Sequence, residues 1–418
     1  MLTQWNYQMN HALLDLRPWV GCPRSTDFLE GMILDNFVLY RPTRILFGEG
    51  QIAAIGQQIP ANARLMITYG GGSIMRNGVF EQVRKALAGR IWVEFGGIQP
   101  NPAFGTLMQA VEVARRERID FILAIGGGSV IDGTKFIAAA IPYGGDPWEI
   151  LAARRSVVNE AVPFGCILTL PATGSEYNAG AVISRPETGD KLDFHSEHVL
   201  PRFSVLDPTT TFTLPDRQIA NGVVDAFVHT TEQYLTYSVD AKVQDRIAEG
   251  LLLTLVEEGR RVWSEPDNPA VRANIMWAAT VALSGQVGAG VPQDWATHML
   301  GHELTAMYGM DHAQSLAIVL PALLDHQREG KRSKLLQYAE RVWGISQGNE
   351  EQRIDAAIAA TRAFFEEMGM PTHLSGYGID DSGLDDVTAK LDEHGMQLLG
   401  ERRNITLHDS RQILQAAL

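Results

Sequence analysis

Two short runs of the chain carry side chains suited to gripping a metal ion. In NGVVDAFVHTTEQY, Asp225 and His229 are four residues apart, so on a helix both project from one face. In HMLGHELTAMYGMDH, His298 and His302 repeat that spacing, and His312 follows the break YGMD, where Asp311 can cap a new helix. One carboxylate and three neutral imidazoles make a coordination shell for a divalent transition metal, Fe2+ or Zn2+. A lone histidine on an apolar helix face is more often a core or capping residue. Here five candidates, including four of the 11 histidines, fall in one helical region, and that favours the joint reading. The motif HExxH is absent, because Ala306 stands where its second histidine would be, which argues against a zincin-type protease. Spacing leaves open whether His298 or His302 completes the shell.

Such side chains need a scaffold. From Arg44 to about Pro208, strands are expected at 64–70, 90–96, 121–127, 166–172 and 203–207, alternating with amphipathic stretches such as 79–89 and 104–119. That alternation predicts a parallel sheet covered on both faces, with ligands beyond the carboxyl ends of its strands. After Pro215 the strands stop and helices follow, broken at SEPDNP and GAGVP. The expected fold class is α/β plus all-α: an N-terminal α/β domain at 32–214, then an all-helical domain at 215–418, with a cleft between them. Residues 1–31 show neither a regular period nor a signal-peptide pattern, and read as an appended extension.

Within the α/β part, GGGS occurs twice, in TYGGGSIMRNG and AIGGGSVIDG, each time between an expected strand and an expected helix. Glycines there let a backbone approach a phosphate closely. Neither copy is the dinucleotide fingerprint GxGxxG, since Met75 and Ile131 occupy the third glycine position. A third candidate, LTLPATGSEYN, ends a strand in hydroxyls that could reach ribose or phosphate, or could simply bond their own turn.

Composition narrows the partners. A formal charge of −14 argues against nucleic acid and anionic membrane. Two cysteines, Cys22 and Cys166, cannot build a disulfide framework, so a reducing, cytoplasmic setting is expected. No apolar run reaches membrane-spanning length.

Five blocks in order resemble the iron-containing (group III) alcohol dehydrogenase family: NFVLYRPTRILFGEG, AIGGGSVIDGTKFIAAA, LPATGSEYNAGAVISR, NGVVDAFVHTTEQY and DWATHMLGHELTAMYGMDHAQSLAIVLPAL. Within it, the chain is most like the NADPH-dependent aldehyde reductase and butanol dehydrogenase branch. The resemblance implies a Rossmann-like dinucleotide-binding domain followed by a metal-binding one, and a homodimer. It implies metal ligands Asp225, His229, His298 and His312, and sets His302 beside the nicotinamide. Catalysis would rest on His302, Asp225 and His298. The cofactor would meet Gly127, Gly128, Ser129 and Asp132 at its pyrophosphate, with Asn101, Thr169, Thr173 and Lys191 also in contact. Relatives that use NAD usually place an Asp at the end of the first strand, but here Gly70, Gly71, Gly72 and Ser73 offer backbone N–H groups and a hydroxyl instead. That favours NADP(H). The implied reaction is reversible hydride transfer between NADP(H) and short-chain aldehydes or primary alcohols, the substrate walled by Tyr177, Asn178, Phe194 and Trp295. Glycerol dehydrogenase or a dehydroquinate-synthase-like enzyme on the same plan is the alternative, and few basic residues stand near Asp225 and His298 to serve the latter.

Overall fold

Uninterrupted apolar strands such as FILAIGG need cover on both faces, and the chain supplies it. The structure, a computed structural model, describes residues 34–153 and 156–418. The expected extension at 1–31 lies outside the described residues. The strands are β1 (Arg44–Phe47), β2 (Leu65–Tyr69), β3 (Trp92–Phe95), β4 (Phe121–Gly127), β5 (Phe164–Leu170), β6 (Gly180–Arg185), β7 (Asp190–His195) and β8 (Phe203–Leu206). Six of them form one parallel sheet in the order β1-β8-β5-β4-β2-β3. One face packs on the helices Phe104–Glu117 and Gly128–Ala140 through Leu107, Val111, Ile131 and Ile137. The other face packs on Ile52, Ile55, Val79 and Val83.

The strand order sets where a ligand can lie. From β2 the chain moves outward to β3, then returns across β2 to place β4 on its other side. The carboxyl ends of β2 and β4 therefore flank a topological switch point, where open α/β sheets leave a crevice. Both GGGS runs leave the sheet there, one after β2 and one after β4.

Two features depart from the sequence-based expectation. Strands β6 and β7 form a separate antiparallel hairpin, with Arg185 opposite Asp190 and Gly180 opposite His195. The helical part also holds one short ladder, β9 (Leu398–Leu399) against β10 (Ile405–Thr406).

Beyond Pro215 the described residues are otherwise helical, built around Val223, Phe227, Leu252, Leu316 and Phe364. The helix Asp216–Tyr234 lies directly on the loop after β5. A Cβ at Gly222 would sit 2.1 Å from the Pro171 carbonyl oxygen, so only glycine permits this contact. No helix among the described residues is long and apolar enough to cross a membrane.

Candidate active site

The Asp216–Tyr234 helix carries Asp225, His229 and Glu232 on one face, and all three are buried. Two more helices bring the other histidines. Ala296–Tyr308 starts at Trp295, whose φ of 62° is unusual for a residue with a side chain. Its first N–H groups are satisfied from elsewhere: Asp294 accepts from the Ala296 N–H at 3.0 Å, and Glu232 accepts from those of Thr297 and His298 at 2.7 and 3.2 Å. His312 opens the helix His312–His326, where Asp311, expected as a cap, forms a capping box with Gln314. The Asn221 amide donates to Asp311 at 2.8 Å, fixing this cap to the first helix.

Three donor atoms, from Asp225, His229 and His298, gather at one spot, and a fourth, from His312, lies near Asp225. Asp225 Oδ1 lies 3.6 Å from His229 Nδ1, 3.8 Å from His298 Nε2 and 3.8 Å from His312 Nε2. Those gaps are too long for hydrogen bonds. They approach the roughly 3.3 Å edge of a tetrahedron whose metal–ligand bonds are about 2.0 Å. Asp225 Oδ1, His229 Nδ1 and His298 Nε2 are moreover buried without a hydrogen-bond partner, a costly state unless something binds them. Asp225, His229 and His298 place one donor each within 4.8 Å of one another. The donor set and its spacing fit a divalent ion.

Charge at the site is strongly shaped by burial. Burial takes His229 down to about 4, against the pull of Asp225. For His298 burial works the same way, but the carboxylates of Glu232 and Asp225 outweigh it and hold the ring up to about 9. Burial, reinforced by Lys191, drives His302 and His312 well below the usual histidine range. Lys191 is itself brought down to about 8 by burial, opposed by Asp225 first among its neighbours, so it faces the same site from β7. His302 lies beside the donor set, its ring centroid 5.1 Å from that of His312.

Most of the residues expected at the cofactor follow the carboxyl ends of β2, β3, β4 and β5, whereas Lys191 lies near the start of the hairpin strand β7. The loops interlock: a Cβ on Gly128 would meet Thr173 Oγ1 at 2.4 Å, and one on Gly70 would meet Val130 at 3.5 Å. Gly71 and Gly72 face open space. Ser73 begins the turn of helix after β2, Ser129 lies in the first turn after β4, and Thr169 is the last residue but one of β5. Asn101 lies past β3 with a φ of 51°.

Three of the expected residues already have partners within the fold. Asp132, expected on the pyrophosphate, accepts from Ser175 Oγ at 2.5 Å on one oxygen and from the Val182 N–H at 2.9 Å on the other. It ties the helix after β4 to β6. Phe194, expected in the substrate wall, is core, its ring centroid 6.4 Å from that of Phe136. Asn178 is likewise occupied: its carbonyl and side-chain oxygens each accept from Lys135 Nζ at 2.9 Å. Trp295 does stand at the site, 5.5 Å from the His298 ring, and Tyr177 is half-buried.

Other residues sequence reasoning passed over. Lys331 Nζ, fully buried, bridges Asp294 Oδ2 at 2.7 Å and Glu401 Oε2 at 2.8 Å, and donates to the Leu235 carbonyl at 2.7 Å. Asp294 is thereby held where it caps the helix of His298. His394 spans the two halves of the molecule, Nδ1 at 2.8 Å from Glu303 and Nε2 at 3.1 Å from Asp190 on β7. Burial opposes protonation of His394, but Glu303 and Asp190 together raise it above the ordinary 6.5, with Lys390 and Glu393 the other charges at this corner. Its contribution is therefore complete below pH 6.5 and fades as pH rises through the elevated value. His394→Ala is expected to lower the thermal midpoint by roughly 3–6 °C at pH 6, from a loss of about 1.5–3 kcal/mol. The deficit should shrink at pH 9, and a pH-independent deficit in scanning fluorimetry would contradict this account.

A separate cavity of about 510 Å³, walled by Arg44, Asp120 and Arg202, opens at the amino ends of the strands, far from these donors.

Comparison with known proteins places this arrangement. Residues 42–208 match the family described as iron-containing alcohol dehydrogenase, and residues 219–418 match the C-terminal part of the Fe-containing alcohol dehydrogenase family. The chain is 64% identical over 386 residues to the NADPH-dependent aldehyde reductase YqhD of Escherichia coli (strain K12), covering 92% of this chain and 100% of that protein. It is 37% identical over 390 residues to the probable NADH-dependent butanol dehydrogenase 1 of Bacillus subtilis (strain 168), covering 92% and 100%. The crystal structure of E. coli K-12 YqhD superposes with a TM-score of 0.91 at 63% identity, covering 92% and 100%. That of NADH-dependent butanol dehydrogenase A from Thermotoga maritima gives 0.88 at 35% identity, covering 92% and 99%.

Proposed function

Because the chain belongs to the iron-containing alcohol dehydrogenase family, we propose that it is an NADPH-dependent aldehyde reductase. It moves hydride reversibly between NADP(H) and short-chain aldehydes or primary alcohols. The observation that carries this reading is the convergence of Asp225, His229 and His298 on a buried point, with His312 Nε2 3.8 Å from Asp225, beside a sheet whose glycine loops open at the switch point. When bound, the divalent ion supplies Lewis-acid polarisation of the substrate oxygen and the reduced nicotinamide supplies hydride. Asp225, His229, His298 and His312 hold the ion. Gly70, Gly71, Gly72 and Ser73 take the adenosine end of the dinucleotide, and Gly127, Gly128 and Ser129 take its pyrophosphate. Asn101, Thr169 and Thr173 line the same crevice. Lys191, buried on β7, counters the charge of Asp225 and closes the site from the hairpin side. His302, kept neutral by burial, relays a proton through its ring nitrogens towards the alcohol oxygen.

The preference for NADPH rests on the open ground beside Gly71 and Gly72, where no carboxylate repels a 2′-phosphate. Charge-assisted bonds there are worth about 1.5–3 kcal/mol, so NADPH should exceed NADH by roughly 10–100-fold in kcat/KM. The test follows absorbance at 340 nm with butyraldehyde and either cofactor, alongside metal analysis of the purified protein. No turnover with either cofactor in metal-loaded protein would sink the reading; parity between them would remove the NADPH preference.

We place the enzyme in the cytoplasm as a homodimer. Two cysteines in the whole chain, too few for a disulfide framework, suit a reducing setting. Phe37, Val38, Leu39 and Tyr40 form an exposed apolar run just before β1, which pairs only with β8 among the described residues. Sedimentation should give twice the chain mass. Val38→Asp, at a position 92% exposed, should shift it to monomer. A monomeric wild type would refute the assignment.

A further inference from the structure

The strongest unassigned feature is one carboxylate that serves a backbone and a ring at once. Glu232 is 2% exposed and lies three residues past His229, on the face that carries Asp225. Its two oxygens have different partners. Oε1 accepts from the N–H groups of Thr297 and His298 at 2.7 and 3.2 Å. Oε2 meets Nδ1 of the His298 ring in a short contact. The Glu232 carbonyl oxygen also accepts from the Asp294 N–H at 2.9 Å.

His298 differs from its companions in this respect. The facing nitrogens His229 Nδ1 and His298 Nε2 have no hydrogen-bond partner, and neither does His312 Nδ1. Among the described residues, His298 is thus the one member of the donor set whose second ring nitrogen is held by a carboxylate. A carboxylate can only accept, so it fixes a proton on Nδ1 and makes Nε2, the atom turned towards Asp225, the nitrogen available to an ion.

We propose that Glu232 is a positioning residue that sets the tautomer and the orientation of His298 for ion binding. This rests on the reading of Asp225, His229, His298 and His312 as metal ligands. One helix then does two jobs: it supplies two donors and dictates the protonation pattern of a third on another helix. Second partners of this kind typically change metal affinity by about 10–100-fold.

The geometry also says how to separate this role from simple capping. In Glu232→Gln the amide oxygen stays at the Oε1 position, because two backbone N–H groups there require an acceptor. The amide NH2 must then face Nδ1 of His298. Nδ1 becomes the acceptor, the ring proton moves to Nε2, and the nitrogen that should bind the ion is blocked. The cap is kept and the tautomer is reversed.

The experiment measures Zn2+ affinity by competition with a chromophoric chelator, for wild type, Glu232→Gln and Glu232→Ala. Far-UV circular dichroism of the chelated proteins is recorded in parallel. Glu232→Gln should keep the wild-type spectrum yet bind Zn2+ about 10–100-fold more weakly. Affinity within about threefold of wild type would overturn the proposal. A second readout needs no variant: 15N histidine spectra of the Zn2+-loaded wild type should show a proton on Nδ1 of His298, and an unprotonated Nδ1 would overturn it equally. A wild type that binds no Zn2+ would instead bring down the metal-site reading itself, which keeps the two failures apart.

Discussion

His298→Ala should yield a folded protein that retains no stoichiometric divalent ion after dialysis and reduces aldehyde at least about 10³-fold more slowly. The size follows from the role. Lewis-acid stabilisation of developing charge is worth several kcal/mol, and each 1.36 kcal/mol is a factor of ten. The fold should survive, because the Thr297 N–H still caps on Glu232 and Ala296 on Asp294. The change also leaves Glu232 without its ring partner, so metal loss and activity loss should appear together. Atomic emission of the dialysed protein and NADPH consumption are the measurements. Full activity in metal-free His298→Ala protein would contradict the scheme.

Gly128→Val attacks the other half of the site. A Cβ at this position would lie 2.4 Å from Thr173 Oγ1 and 2.7 Å from Thr173 Cγ2, so the loop after β5 must move. Overpacking of this kind costs about 1–3 kcal/mol, and it strains the turn expected at the pyrophosphate while moving Thr173, expected in contact with the same dinucleotide. NADPH affinity in a fluorescence titration should fall by roughly 10–100-fold, while metal content stays at the wild-type level. A folded variant with unchanged NADPH affinity would show that the dinucleotide does not enter over this turn. The two substitutions should therefore dissociate: one removes the ion, the other the dinucleotide.

The sequence was informative wherever physics acts locally. A period of four along a helix joins Asp225 to His229, and Asp311 announces the helix that begins with His312. Glycines after apolar strands mark the turns at the switch point, although the order of the strands had to come from the structure. Local rules could not choose between His298 and His302, because the choice depends on which ring faces Asp225 across two helices. Glu232 carried a faint signal in its place on the face of Asp225 and His229. Its partner, however, is 66 positions away. The clasp of His394 on Glu303 and Asp190 spans 91 and 204 positions, and no periodicity reports on such a distance. The tie from the Val182 N–H to Asp132 spans 50 positions and depends on the β6–β7 hairpin, which a parallel-sheet reading does not show.

The Lys331 bridge has a consequence for biosynthesis. Glu401 lies far along the chain from Asp294, yet through Lys331 it helps to fix Asp294, the residue on which the helix of His298 begins. A nascent polypeptide can fold its nucleotide half early, but its metal cage cannot be finished until Glu401 has been made. Chains stopped short of Glu401 should emerge able to bind dinucleotide and poor at keeping iron or zinc.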